Sequence, residues 1–187
     1  MKVTETKLPG VLLVEPDRFG DDRGFFQEIW HARRYEDAGI PGGFVQDNLS
    51  LSRHGVLRGL HFQNPHGQGK LVYVLQGEVF DVVADIRVGS PSFGKWVGAT
   101  LSADNGRQLY VPAGFAHGFC VTGETALFAY KCTDFYNRES EGTIRWDDPQ
   151  IAIAWPVSRP VVSDKDANAP FLSTIDRAWL PLYEGGQ

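Results

Sequence analysis

Residues 55–70, GVLRGLHFQNPHGQGK, set Arg58, His61, Gln63, His66 and Lys70 among glycines and small apolar residues. An imidazole and an amine in one concave site suit proton abstraction beside a carbonyl. His61 takes a carbon-bound proton and Lys70 stabilises the enolate oxygen on which charge develops. A second imidazole, His117, lies downstream in VPAGFAHGF. For an isolated histidine the plainer reading is a hydrogen-bonded structural residue. The cation close behind His61 weighs against that reading there.

These side chains need a scaffold that turns them inward. Directly behind them comes LVYVLQGEVFDVVADI, residues 71–86, the longest β-rich run in the chain. It reads as strands 71–75 and 78–86 around a hairpin turn at Gln76-Gly77. Further strands are predicted over 11–16, 25–30, 44–52, 95–101, 107–111, 119–121 and 126–133, with a charged turn over 17–24. One helix is predicted over 32–38, ended by Gly39 and Pro41. In 44–52, Val45, Leu49 and Leu51 alternate with Gln46, Asn48, Ser50 and Ser52. Placed just ahead of the cluster, this polar face is expected to point into a cavity. Val79, Asp81, Val83 and Asp85 share one face of their strand, and both acids are read as structural. Beyond residue 147 Pro149, Pro156, Pro160 and Pro170 interrupt the chain, and Trp146 and Trp155 are expected to anchor this segment on the barrel. Strand spacing of roughly eight to twelve residues implies a sandwich or barrel, not a parallel α/β sheet. The expectation is one all-β domain over 1–187 with short peripheral helices.

The chain has 187 residues and a net charge of −5, which argues against a nucleic-acid partner but not against an anionic small ligand. No apolar run approaches the roughly 18 residues of a membrane span, and the N-terminus lacks a signal-peptide core, so the expected compartment is the cytoplasm. Cys120 and Cys132 are read as buried reduced thiols.

Gly106, Pro112, Gly114 and His117 follow the pattern G-x5-P-x-G-x2-H, while Gly55 to His61 and Lys70 to Gly77 follow G-x5-H and K-x6-G. The pair resembles the two motifs of the cupin superfamily, a double-stranded β-helix or jelly roll whose motifs supply His and Glu ligands to a metal. Here Gln63 stands at the second histidine and Lys70 at the acid. A fixed cation repels a divalent metal, so no metal and no other cofactor is expected.

The strings VLRGLHFQ, QGKL, GEVFDVVADIRVGSPSFGKW, LSADN, VPAGFAHGF, YKCTDFY and IRWDDPQIAIAWP closely resemble the dTDP-4-dehydrorhamnose 3,5-epimerase family over about residues 3 to 172. The resemblance implies epimerisation at C3 and C5 of a dTDP-4-keto-6-deoxy-sugar. It makes His61 the base, Asp166 its carboxylate partner, Lys70 the enolate stabiliser and Tyr130 the acid on the opposite face. It assigns substrate contacts to Arg23, Glu28, Gln46, Asp47, Asn48, Arg58, His117, Glu141 and Lys165. It also implies a homodimer whose N-terminal strands exchange to complete the nucleotide site. Without it, Asp166 reads as an exposed turn acid, Tyr130 as core, and Arg23 and Glu28 as solvated. Gln63 and His66 drop out of the chemistry. Tyr73 stands where many relatives have Arg, and Tyr110 stands where Trp is frequent and is expected at the pocket wall. Tyr136 has no assigned role. Rival readings are an epimerase of one carbon only, a metal-dependent cupin oxygenase and a sugar-nucleotide-binding protein without turnover.

Overall fold

The computed structural model describes residues 1–185. The strands are β1 (Lys2–Glu5), β2 (Leu12–Glu15), β3 (Arg18–Asp21), β4 (Gly24–Gln27), β5 (Gln46–Arg53), β6 (Leu57–Gln63), β7 (Lys70–Asp85), β8 (Trp96–Ser102), β9 (Gln108–Val111), β10 (Phe115–Cys132) and β11 (Glu141–Thr143). Two short helices, α1 (Ala32–Asp37) and α2 (Asp164–Ala167), lie outside the strands. The hairpin β3–β4 stands as its own two-stranded sheet.

Two long strands organise the rest. β7 and β10 pair antiparallel from Phe115↔Asp85 to Cys132↔Lys70. Their two ends have different neighbours. β6 flanks the first half of β10 and β8 the second half of β7, whereas β5 flanks the second half of β10 and β9 the first half of β7. One nine-stranded sheet thereby folds into two layers, β11-β6-β10-β7-β8 and β5-β10-β7-β9-β2-β1. This is the all-β jelly roll expected from the motifs.

Both long strands cross from one layer to the other at irregularities. The register shifts between Val121 and Ala126 and again between Leu127 and Phe128. Gly77 has a φ of 79°, and a Cβ there would collide with the Thr125 backbone. The predicted hairpin at Gln76-Gly77 is therefore absent. The glycine supplies a bulge that bends a continuous strand instead of reversing it. The predicted break between 121 and 126 is likewise bridged by β10. β3 occupies part of the stretch predicted as a turn, and the strand predicted over 25–30 stops at Gln27.

Apolar side chains from both layers fill the space between them. Val72, Val74, Leu109 and Phe128 of one layer pack with Val83, Leu101, Phe115 and Phe119 of the other, and the Phe119 and Phe128 rings stack at 4.1 Å. A second cluster covers the back of the first layer, where Leu60, Phe62, Val82 and Ile144 meet Ile151, Leu172 and Leu180 of the C-terminal segment. A third, Val14, Tyr35, Ile40, Leu71 and Tyr110, ties α1 to the back of the second layer. Tyr110 is the register partner of Leu71, so it faces away from Lys70 and does not line the interior as expected. Cys120 and Cys132 are buried and free. Among the described residues no helix is long and apolar enough to cross a membrane.

Candidate active site

Arg58 and His61 are three residues apart and would point to opposite faces of a regular strand. The register between β6 and β10 shifts between His117↔His61 and Phe119↔Arg58, which turns both side chains to the interior. The slack is taken up at Gly59, whose φ is 135°. A Cβ there would lie 2.6 Å from Gly118 Cα and 3.0 Å from His117 O. Glycine is thus required at this point both by conformation and by the approach of β10.

His61 Nε2 donates to Asp166 Oδ1 at 2.7 Å. Asp166 sits in the first turn of α2, where Ser163 caps the helix and accepts from Asp166 N at 3.1 Å. The Gly59 N–H donates to Asp166 Oδ2 at 3.3 Å, so the bulge that aims His61 also anchors its carboxylate. Burial pushes the Asp166 carboxyl up. The His61 hydrogen bond and charge, the Gly59 N–H and Ser163 outweigh burial and hold it below the usual range. The His61 side chain keeps 32 % of its surface open, and with Nε2 engaged by Asp166 the ring nitrogen left to accept a proton is Nδ1.

Lys70 enters the interior from the start of β7, opposite Cys132. Burial draws its pKa down, against the pull of Cys132, Asp81 and Glu141. Tyr130 lies on β10 in register with Asn48 and Val72. Burial, Cys132 and Glu141 raise its pKa while Arg58 lowers it. The phenol therefore stays protonated and able to donate. His61 projects from the first layer and Lys70 and Tyr130 from the second, so the imidazole and the phenol meet the interior from opposed walls.

The polar face of β5 points inward as expected. Gln46 Nε2 donates to Asn48 Oδ1 at 3.0 Å, and Arg58 Nε reaches across the layers to Ser52 Oγ at 3.1 Å. Lys165 and Glu141 form a 2.6 Å ion pair at the rim, and Tyr136 OH donates to Glu141 Oε2 at 3.2 Å. His117 Nε2 donates to Asp81, whose two oxygens lie at 2.9 and 3.0 Å. Asp81 is fully buried, and burial raises its pKa despite His117 and Lys70.

Three predicted contacts lie elsewhere in the single chain. Asp47 alternates to the outer face of β5 and pairs with Lys131 at 3.0 Å. Arg23 stands on the exposed β3–β4 hairpin against Asp21, with 89 % of its side chain open. Glu28 pairs with Arg34 at 3.3 Å. Gln63, set aside from the chemistry, braces a loop: its Nε2 donates to His66 O and Phe135 O, and its Oε1 accepts from Asn137 N. Asp85, read as structural, is held by Arg87, Ser90 and Ser92. Asp81, read as structural as well, is buried on the inward face and held by His117. Among the described residues no group of three or more His, Cys, Asp or Glu is placed to hold a metal ion.

The family model described as dTDP-4-dehydrorhamnose 3,5-epimerase matches residues 5–174. The dTDP-4-dehydrorhamnose 3,5-epimerase of Shigella flexneri is 55% identical over 170 residues, 90% of this chain and 94% of that protein. The enzyme of the same name from Pseudomonas aeruginosa is 53% identical over 178 residues, 94% of this chain and 98% of that protein. Among solved structures, the dTDP-6-deoxy-D-glucose-3,5-epimerase of Legionella pneumophila, in complex with dTDP-4-keto-L-rhamnose, superposes with a TM-score of 0.96 at 53% identity, covering 98% of this chain and 99% of that one. With the motifs, the jelly roll and the His61–Asp166 pair in place, these matches establish that the chain belongs to the dTDP-4-dehydrorhamnose 3,5-epimerase family.

Proposed function

We propose that the chain inverts C3 and C5 of dTDP-4-dehydro-6-deoxy-D-glucose, giving dTDP-4-dehydro-L-rhamnose on the way to dTDP-L-rhamnose. The C4 ketone acidifies both neighbouring carbons. His61 Nδ1 takes the proton, and the electron pair moves onto the ketone oxygen as an enolate facing Lys70. Tyr130 returns a proton to the carbon from the opposite side, and the ketone re-forms inverted at that centre. Asp166 holds the proton on His61 Nε2 and stabilises the imidazolium. Solvent restores both groups before the second centre reacts.

The observation that carries this reading is the placement of a carboxylate-paired imidazole on one layer against a half-buried amine and a phenol on the other. Inversion needs a base and a donor on two faces of one carbon. NMR of the dTDP-keto sugar in heavy water tests it: deuterium is expected at both C3 and C5. Label at one carbon alone would support the mono-epimerase reading.

The acting unit in this reading is a homodimer. β5 turns Leu49 and Leu51 outward, with 61 % of Leu49 and 66 % of Leu51 exposed, and Val45 just ahead of it is exposed too. Leu75 extends this face, and Phe19, Phe25 and Phe26 line the β3–β4 hairpin. An apolar surface of this kind supports an interface. An exchanged hairpin would deliver Arg23 and Glu28 to the partner's nucleotide, where Arg suits a diphosphate. Two buried free thiols agree with the reducing cytoplasm expected for such an enzyme.

A further inference from the structure

Gln63 follows His61 by two residues on β6, and the unbroken register Thr143↔His61 and Glu141↔Gln63 sets both side chains on the same inward face. Gln63 is buried, and its carboxamide is engaged by backbone. Nε2 donates to His66 O at 2.7 Å and to Phe135 O at 3.3 Å, and Oε1 accepts from Asn137 N at 2.9 Å. Both N–H groups are in use, so Gln63 has no proton left for a ligand. It clasps two loops instead. Residues 64–69 lead into Lys70, and residues 133–140 carry the chain from the end of β10, in the second layer, to β11 in the first. The same two loops are joined on either side by Asn64 N to Ser140 O at 2.8 Å and Gln68 Nε2 to Asp134 O at 2.9 Å. The second loop holds Tyr136 between the walls of the site. Tyr136 N donates to Gln46 Oε1 on β5 at 2.9 Å, and Tyr136 OH donates to Glu141 Oε2 on β11 at 3.2 Å.

We propose that Gln63 is a positioning residue for the epimerisation: by clasping the two loops it fixes Tyr136 between β5 and β11, and so orients the polar groups that receive the sugar nucleotide. The proposal rests on the function given above and on the substrate contacts assigned to Gln46, Asn48 and Glu141. Phe135 and Tyr136 are both exposed, so apolar burial does little to hold this segment. Its position rests on hydrogen bonds, and Gln63 supplies two of them. An amide fits its site in two orientations that exchange donor and acceptor. The Tyr136 N–H selects one for Gln46, with Oε1 on the loop and Nε2 on Asn48 Oδ1 at 3.0 Å. If the segment slips, Gln46 is free to turn over, and the inward face of β5 loses its order of donors and acceptors. Glu141, which Tyr136 meets from the other side, is also the partner of Lys165 at 2.6 Å. The position that carries a metal ligand in the cupin pattern therefore carries a clasp in this chain.

The test measures kcat and KM for exchange of the dTDP-keto sugar in heavy water with Gln63→Met, which fills the volume without the hydrogen bonds. KM is expected to rise about tenfold, near the net worth of one or two lost hydrogen bonds, with kcat little changed, as for binding lost equally from ground and transition state. Should Gln63→Met not fold, Gln63→Glu, which keeps the shape and the acceptor for Asn137 N, carries the same measurement and the same expectation. Combining the folded variant with Gln46→Ala tests the route. If Gln63 acts through Tyr136 on Gln46, the rise in KM of the double variant falls short of the product of the single rises. An unmoved KM, with loss confined to thermal stability, overturns the proposal, as does a full product in the double variant. If the unsubstituted protein exchanges neither carbon, the functional reading fails first and takes this inference with it; exchange by the unsubstituted protein with an unmoved KM in the variant sinks this inference alone.

Discussion

Asp166 Oδ1 lies 2.7 Å from His61 Nε2, although the two residues are 105 positions apart in the chain. The same carboxylate accepts from the N–H of Gly59, two residues before the histidine. Base and orienting acid are therefore joined through the backbone as well as through the side chain. Asp166→Asn keeps the shape but offers the wrong partner to the Nε2 proton. It is expected to lower kcat far more than it raises KM, measured as exchange at C3 and C5.

The pH dependence of stability follows from the same carboxyl. Its folded pKa lies below the unfolded value of about 3.9. A depressed carboxyl contributes stability that is complete above the unfolded pKa and is lost as pH falls through the folded one. Urea midpoints taken from neutral to acid pH should decline less steeply for Asp166→Asn than for the unsubstituted protein. Parallel curves would show that the pairing has no linkage to folding.

Gly59→Ala should damage folding and site together. The backbone at a φ of 135° strains any side chain, and the added carbon meets Gly118. A loss of about 1–3 kcal/mol or more is expected from the strain alone. Chemical denaturation measures it. A variant of unchanged stability and rate would mean that the bulge does not position Arg58 and His61.

The outer face of β5 predicts an effect on assembly. Leu51→Asp places a charge in a surface now 66 % exposed in the single chain. The single chain loses no buried packing, so its fold should persist while light scattering shows loss of the proposed dimer. Arg23→Ala should weaken dTDP binding without reducing the dimer. A Leu51→Asp protein that remains dimeric would place the interface elsewhere.

How far the sequence disclosed these features depends on the range of each contact. His61 and Lys70 stood out because they are near neighbours in one polar run, and the inward polar face of β5 was visible as alternation. Asp166 was not visible from its surroundings, because a capped turn gives no sign of what it packs on; only the family resemblance singled it out. Gly59 and Gly77 show the limits of periodicity. Gly77 reads as a turn residue and Gly59 carries no signal of its own, yet both are bulges within continuous strands, and such bulges decide which side chains face inward. Tyr110 was misplaced for a related reason: one step of register moves a side chain through the sheet. Arg23, Glu28 and Asp47 are away from the pocket of a single chain, and each is paired with a neighbour in the same chain.

Deuterium incorporation from heavy water into the dTDP-keto sugar, compared between the unsubstituted protein and His61→Asn, tests the role of His61 most directly. The unsubstituted protein is expected to label C3 and C5. The variant, lacking a general base worth about 10²- to 10⁴-fold, is expected to label neither on the same timescale. Undiminished labelling of both carbons by His61→Asn would contradict the assignment of His61 as the base.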